Sequence, residues 1–269
     1  MKRNKLGLGI FITLFLSACS TTDMMGGFNL ISPEQEMTLG QELSQSIAQQ
    51  EKIITDKPVN DYVTQIGQRL VAASNAAGQP RYFYVLQKDE VNAFAIPGGH
   101  VYVHTGLIEA ADNEAEVAAV IAHELAHAER RHPTQQLSRQ IGTQMVMDLV
   151  FGKNAGQLQQ TAASLVATSG ISAYSRSAEF EADAIGTTML NQAGYDPAAM
   201  ATFFNKLAMM ERQAGVGETR NFFATHPPTQ DRIQAVENLV ASFGAQRSTK
   251  PSQVGDFNGL KAQIKALRK

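Results

Sequence analysis

His123-Glu124-Leu125-Ala126-His127 stands near the middle of the chain. On a helix its two histidines, four residues apart, point the same way, and Glu124 sits about 100° round beside them. That pattern offers two metal ligands and a neighbouring base. The run reads as helical for reasons independent of the motif. Asn113 is placed to act as N-cap, with Glu116 three residues on as capping-box partner, and Val117, Val120, Ile121, Leu125 and Ala128 follow at helical spacing. Pro133 is expected to close the segment, because His132 before it is disfavoured in helical geometry. A helix of roughly five turns would then carry the motif in its C-terminal half. Its apolar face would lie in a core, so that the imidazoles are held in place.

Around this motif the composition is that of an ordinary globular chain: 269 residues, 43% hydrophobic and 18% charged. The first residues differ. Lys2, Arg3 and Lys5 precede an apolar run from Leu6 to Leu16, followed by Leu16-Ser17-Ala18-Cys19. A basic stretch, an apolar stretch and small residues describe a secretory leader over residues 1–18, too short to span a bilayer as a helix. Cys19 is the only cysteine, so no intrachain disulfide framework can form. The sequence around it resembles the bacterial lipobox, which implies cleavage before Cys19 and lipidation there. Ser20 in the next position favours the periplasmic face of the outer membrane. Residues 19–30 would then be the lipid-bearing cysteine and a tether. Without the leader, 20 basic residues face 25 acidic ones, a formal net charge of −5. That balance gives no electrostatic footprint for nucleic acid.

The remainder reads as helix, small sheet, then helices. Ser32-Pro33-Glu34-Gln35 is a helix start, with Met37, Leu43 and Ile47 as its stripe. A second helix from Pro58 carries Tyr62, Val63, Ile66 and Leu70, and Gly78-Gln79-Pro80 interrupts the chain. Residues 82–86 read as a strand, and residues 92–96 and 100–104 as a hairpin about Pro97-Gly98-Gly99. Helices are expected over 137–151, 155–167, 172–192, 197–212 and 229–243, with Gly194 and Gly244 as stops. The apolar stretch 145–151 is too short to cross a membrane and is expected in the core. The expected fold class is α+β, one mostly helical domain over residues 31–244. A basic tail, 245–269, is expected to be solvated.

A catalytic zinc commonly takes three protein ligands and leaves one position for water. The segment 174–183, Tyr-Ser-Arg-Ser-Ala-Glu-Phe-Glu-Ala-Asp, offers candidates for the third. Glu179 and Asp183 share one helix face, and Glu181 lies on the other. Spacing alone leaves either face open as the inner one. If Glu179 is the ligand, Asp183 is placed to orient a ligating imidazole from behind.

These residues carry a resemblance. HELAH followed by Ser-Arg-x-x-Glu-x-x-Ala-Asp is similar to the zinc endopeptidase family that contains HtpX, the CAAX-prenyl endopeptidases and BepA. Asn92-Ala-Phe-Ala, Pro97-Gly-Gly-His and Thr105-Gly-Leu-Ile also match that family, so the likeness runs from about residue 32 to 243. It implies a zincin-like (gluzincin) metalloprotease domain with a small sheet ahead of the metal-binding helix, and one zinc ion per chain. His123, His127 and Glu179 would be the ligands and Asp183 the residue behind the site. The spanning helices of HtpX find no counterpart in an apolar run after the leader, and the helical-repeat module of BepA is not expected.

The implied chemistry is peptide hydrolysis by a zinc-activated water, with Glu124 as general base and then proton donor to the leaving amine. His226, in Thr225-His226-Pro227-Pro228 with Arg232 a few residues on, matches a family histidine near the metal, and is a candidate for transition-state stabilisation or for gating. Tyr174 and Arg176 are weaker candidates. His100 and His104 would lie about 13 Å apart along a strand, too far to share an ion. His132 is assigned to the helix break. Asn92, Ala93 and Phe94, on an expected edge strand, are candidates for binding an extended peptide through main-chain bonds. Unfolded or misassembled envelope polypeptides are the expected clients, and membrane contact is expected through a lipid anchor at Cys19. The other reading is a lipoprotein that holds envelope clients in the same cleft, with hydrolysis secondary or gated.

Overall fold

The computed structural model describes residues 29–75, 78–139, 173–214, 225–227, 229–248 and 253–268. The expected leader, Cys19, the helix expected over 155–167 and most of that expected over 137–151 lie outside the described residues.

The first helix, α1 (Pro33–Gln50), begins as its sequence dictates. The Ser32 side chain accepts from the Gln35 N–H, the Gln35 side chain accepts from the Ser32 N–H, and Pro33 opens the first turn. Its buried stripe is Leu39, Leu43 and Ile47, with Met37 only partly buried. Helix α2 (Lys57–Ala72) is capped by Asp56 and buries Val63, Ile66 and Leu70. Strands β1 (Tyr82–Leu86), β2 (Ala93–Ile96) and β3 (His100–His104) form one sheet in the order β1-β3-β2. The expected hairpin is present: β2 and β3 are antiparallel, with Ala93 opposite Val103 and Ile96 opposite His100. β1 runs parallel to β3, Tyr82 opposite His100. β2 is therefore an edge strand.

After the short helix α3 (Thr105–Ala110) comes α4 (Glu114–Glu129), which carries HELAH. Asn113 caps it by accepting from the Glu116 N–H, but the capping box is not reciprocal, because Glu116 reaches back to the Asp112 N–H instead. The expected apolar face is buried, and so is nearly everything else on this helix, including His123, Glu124 and His127. At about 1.5–3 kcal/mol for each fully buried Val, Leu or Ile, such a helix is fixed by packing rather than by propensity.

Pro133 does not close α4. The helix ends at Glu129, Arg131 takes a left-handed backbone (φ 58°), and Pro133 falls in the first turn of a new helical stretch over 132–139. The left-handed residue reverses the chain before the proline can matter, and proline suits a first turn, where its missing N–H costs nothing. Arg131 also donates to the Ile31 carbonyl at 2.6 Å and pairs with Glu36, which offsets the strain of its backbone. Thr134 and Ser138 bind Asn29 and Leu30, so the end of the expected tether lies on the domain.

Helix α5 (Arg176–Gln192) starts at Ser175, whose side chain accepts from the Ala178 N–H, a few residues later than expected. It packs along α4. Gly186 makes this close approach possible: a Cβ there would stand 3.1 Å from Ala122 C and from His123 N. Helices α6 (Ala199–Ala214) and α7 (Gln230–Ser242) cover the other sides of this pair, and Gly194 and Gly244 hold the positive φ expected of helix stops. The C-terminal residues depart from the expected solvated tail. They form α8 (Phe257–Leu267), which buries Phe257, Leu260 and Ile264 against α2 and α3. Lys261 on this helix and Arg268 just after it are also engaged, Lys261 with the Ala111 carbonyl and Arg268 with Asp89 and Glu109. Apolar residues at helical spacing decide this segment; its charge does not.

Candidate metal centre

Four side chains converge at the contact of α4 and α5. One ligand atom from each of His123, His127, Glu179 and His226 lies within 4.8 Å of the others, and all four residues are buried. His123 Nε2 and His127 Nε2 are 3.0 Å apart. Glu179 Oε1 is 3.4 Å from His127 Nε2 and 3.0 Å from His226 Nδ1, and His226 Nδ1 is 3.2 Å from His123 Nε2. Donors about 2.1 Å from a tetrahedral zinc would be separated by about 3.4 Å. The set therefore fits that ion in donor type and in spacing. Two imidazole nitrogens this close share at most one proton, and a cation among them satisfies every lone pair at once.

Glu179 and Asp183 reach the inner face of α5, and Glu181 does not. Glu179 is 2% exposed, whereas the Glu181 side chain is 38% exposed and pairs with Arg130 and His132. Asp183 Oδ1 lies 3.0 Å from His123 Nδ1, so the carboxylate stands behind that imidazole. Burial opposes the charge on Asp183, but bonds from Arg232 and His123 outweigh it and hold the carboxyl below its ordinary range. Arg232 donates through Nε and Nη2 to both Asp183 oxygens, at 2.7 and 2.8 Å. Its Nη1 faces Glu179 Oε2 at 2.7 Å and donates to the Pro227 carbonyl. One guanidinium thus ties the two carboxylates of α5 to the segment that carries His226.

Glu124 lies beside the four donors. Its Oε2 accepts from the Ala95 N–H of β2 at 3.0 Å, and His226 Nε2 stands 3.4 Å from its Oε1, an oxygen left without a hydrogen bond. Burial pushes its carboxyl above the ordinary value, with His226 and His123 acting against that shift. Burial also opposes a charge on His123, yet Asp183 and Glu179 raise it to about 9, while burial holds His127 well below its ordinary value. Tyr174 stacks on His127 with ring centroids 4.0 Å apart.

A family model described as Peptidase family M48 matches residues 58–240. The chain belongs to that family. Its members are zinc metalloproteases, in keeping with the four buried donors. The chain is 33% identical over 220 residues to the beta-barrel assembly-enhancing protease of Yersinia pestis, covering 77% of this chain and 44% of that protein. It is 32% identical over 197 residues to the mitochondrial metalloendopeptidase OMA1 of Schizosaccharomyces pombe, covering 71% and 56%. With the metalloprotease LoiP of Escherichia coli it shares 29% identity over 262 residues, 91% of this chain and 99% of that protein. The chain spans about half the length of the assembly-enhancing proteases it matches.

Other candidates fall elsewhere. Arg176 pairs with Asp231 at the surface. His100 stacks between Tyr82 and Tyr84, His104 meets Phe94 edge-on, and neither joins the donor set. His132, assigned in sequence to a helix break, is buried with its Nδ1 2.8 Å from His127 Nδ1. No periodicity could have found it, since the reversal at Arg131 is what turns it back onto the motif helix.

Proposed function

We propose that this protein is a zinc-dependent endopeptidase that hydrolyses peptide bonds of misfolded or unassembled envelope polypeptides, tethered by lipid at Cys19 to the periplasmic face of the outer membrane. The observation that carries the reading is the buried set His123, His127 and Glu179 with Glu124 at its side. Membership of family M48 and likeness to bacterial proteins named as proteases support it. These three residues would hold one zinc ion. Zinc bound there lowers the pKa of a water to about 7 and polarises a carbonyl. Glu124 takes the proton of the attacking water and delivers it to the leaving amine. Asp183 and Arg232 keep His123 and Glu179 oriented.

Peptide would enter along β2. The Asn92 carbonyl accepts from His104, so by the alternation of an antiparallel ladder the main chain of Phe94 also faces β3, and Ala93 and Ala95 face outward. Of the three candidates, Ala93 offers its backbone, Asn92 a side chain that now caps the Ala93 N–H, and Phe94 its ring. A substrate strand that takes the Ala95 N–H releases Glu124 from it, which couples binding to the freeing of the base.

His226 favours the gated form of this reading. Its Nδ1 is the fourth member of the donor set and its Nε2 lies 3.4 Å from Glu124 Oε1, so with an ion held by the other three residues it would compete with water for the remaining place beside the base. In that state the cleft would hold a client without cutting it. The test is zinc content and casein hydrolysis by the wild type, Glu124→Gln and His226→Ala. Wild type should hold one zinc per chain, Glu124→Gln should keep the metal and lose about 10²–10⁴-fold in rate, and His226→Ala should hydrolyse faster. Equal rates for wild type and Glu124→Gln, each loaded with zinc, would refute the peptidase reading.

A further inference from the structure

The two histidines of HELAH are held by different devices. Behind His123 stands a carboxylate, Asp183, at 3.0 Å. Behind His127 stands another histidine: Nδ1 of His127 and Nδ1 of His132 are 2.8 Å apart, and the His132 Nε2 lies 3.2 Å from Glu181 Oε2. The other oxygen of Glu181 pairs with Arg130 Nε at 2.6 Å. We infer that His132 is a positioning residue, which fixes the tautomer and the ring angle of His127 by relaying an outer carboxylate, Glu181, to it. This rests on the reading of His127 as a metal ligand.

The direction of every bond in the relay follows from its far end. A carboxylate held by an arginine only accepts, so His132 Nε2 is the donor to Glu181. A neutral imidazole that donates at Nε2 accepts at Nδ1. His127 must then donate from its own Nδ1, and the lone pair of its Nε2 is left facing the other donors. The opposite arrangement, with the proton on His127 Nε2, would put two lone pairs 2.8 Å apart in a buried site and place a proton where a metal must bind.

An imidazole is used here because no carboxylate reaches His127 directly. Glu179 and Glu181 are two residues apart on α5 and so point about 200° apart around it. Glu179 turns inward to Nε2 of His127, and Glu181 turns toward the end of α4. The left-handed Arg131 folds the chain back so that His132 spans the gap. α5 thereby bears on both ring nitrogens of His127: Glu179 stands beside Nε2 as a fellow donor to a shared ion, and Glu181 acts on Nδ1 at one remove through His132. Tyr174, stacked on the same ring, restrains its tilt.

The test is the zinc dissociation constant of the full chain, measured by competition with a chromophoric chelator, together with the visible spectrum of the cobalt(II)-loaded protein. His132→Leu should weaken zinc about 10- to 100-fold and alter the cobalt spectrum, the range found when a group orienting a metal-bound imidazole is lost. His132→Asn, whose amide oxygen can still accept near the Nδ1 position, should regain most of that affinity. Zinc binding by His132→Leu within threefold of wild type, or His132→Asn as weak as His132→Leu, would overturn the inference. Should His132→Leu fail to fold, the half-exposed Glu181→Leu decides the matter: a several-fold loss supports the relay, and unchanged affinity with an unchanged cobalt spectrum refutes it. Wild type that holds no zinc would instead refute the metal-centre reading beneath it.

Discussion

Replacing Gly186 by alanine should weaken metal binding while leaving most of the fold's stability in place. The added Cβ would lie 3.1 Å from Ala122 C and from His123 N, both main-chain atoms of α4, and 3.0 Å from Met200 Cε. The methionine end can swing away; the backbone cannot. Ordinary carbon contacts lie at about 3.5–4.0 Å, so α4 and α5 must separate by about 0.4–0.9 Å. In stability the terms nearly cancel, because alanine gains about 1 kcal/mol over glycine inside a helix and overpacking costs about 1–3 kcal/mol. The metal site is less tolerant. Asp183 and Glu179 precede Gly186 by three and seven residues on the same face, and a zinc site accepts donor displacements of only about 0.2 Å. We expect the zinc dissociation constant to rise about tenfold or more, while urea denaturation of the metal-free protein shows a loss of no more than about 2 kcal/mol. A soluble Gly186→Ala protein that binds zinc within twofold of wild type would refute the argument that helix spacing sets the site.

Three further outcomes follow from buried groups. Arg232→Met should destabilise the metal-free protein by about 3–5 kcal/mol in urea, because Asp183 and Glu179 lose their buried counter-charge, and Arg232→Lys should recover only part, since an ammonium cannot bridge both carboxylates as the guanidinium fork does. Leu260→Ala should cost about 2–5 kcal/mol and lower the urea midpoint, which a solvated tail would not do. His104 is pushed down to about 4 by burial, with Lys88 adding to the shift. Its folded pKa lies below the ordinary value of 6.5, so the stability it confers is present above 6.5 and is lost as the pH falls toward 4. Between pH 7 and pH 5 this one group should cost about 2 kcal/mol, and His104→Gln should lose correspondingly less over the same interval in urea titrations.

Much of the local structure was legible because its causes are local. The Ser32 capping box, the Asn113 cap, the 97–99 turn and the helix stops at Gly194 and Gly244 are settled by contacts within a few residues. Misreadings arose where a local rule met a stronger neighbour. Pro133 gave way to the left-handed Arg131, and the positive charges after Gly244 concealed the stripe of Phe257, Leu260 and Ile264.

By itself the sequence determined that one helix carries two imidazoles and a carboxylate on neighbouring faces, since helical spacing alone brings residues four apart together. It also offered two glutamates and an aspartate on one later helix as candidates for the third donor, and the family likeness implied Glu179. Helical spacing left either face open, and the tertiary structure supplies the physical reason for the inner one: α4 and α5 approach closely at Gly186, which turns Glu179 inward and leaves Glu181 to His132 and Arg130. The same packing brings in His226 and Arg232 from about a hundred residues away, and the chain reversal at Arg131 sets His132 behind His127. Contacts at such separations depend on how whole helices pack, and no periodicity within one segment records that.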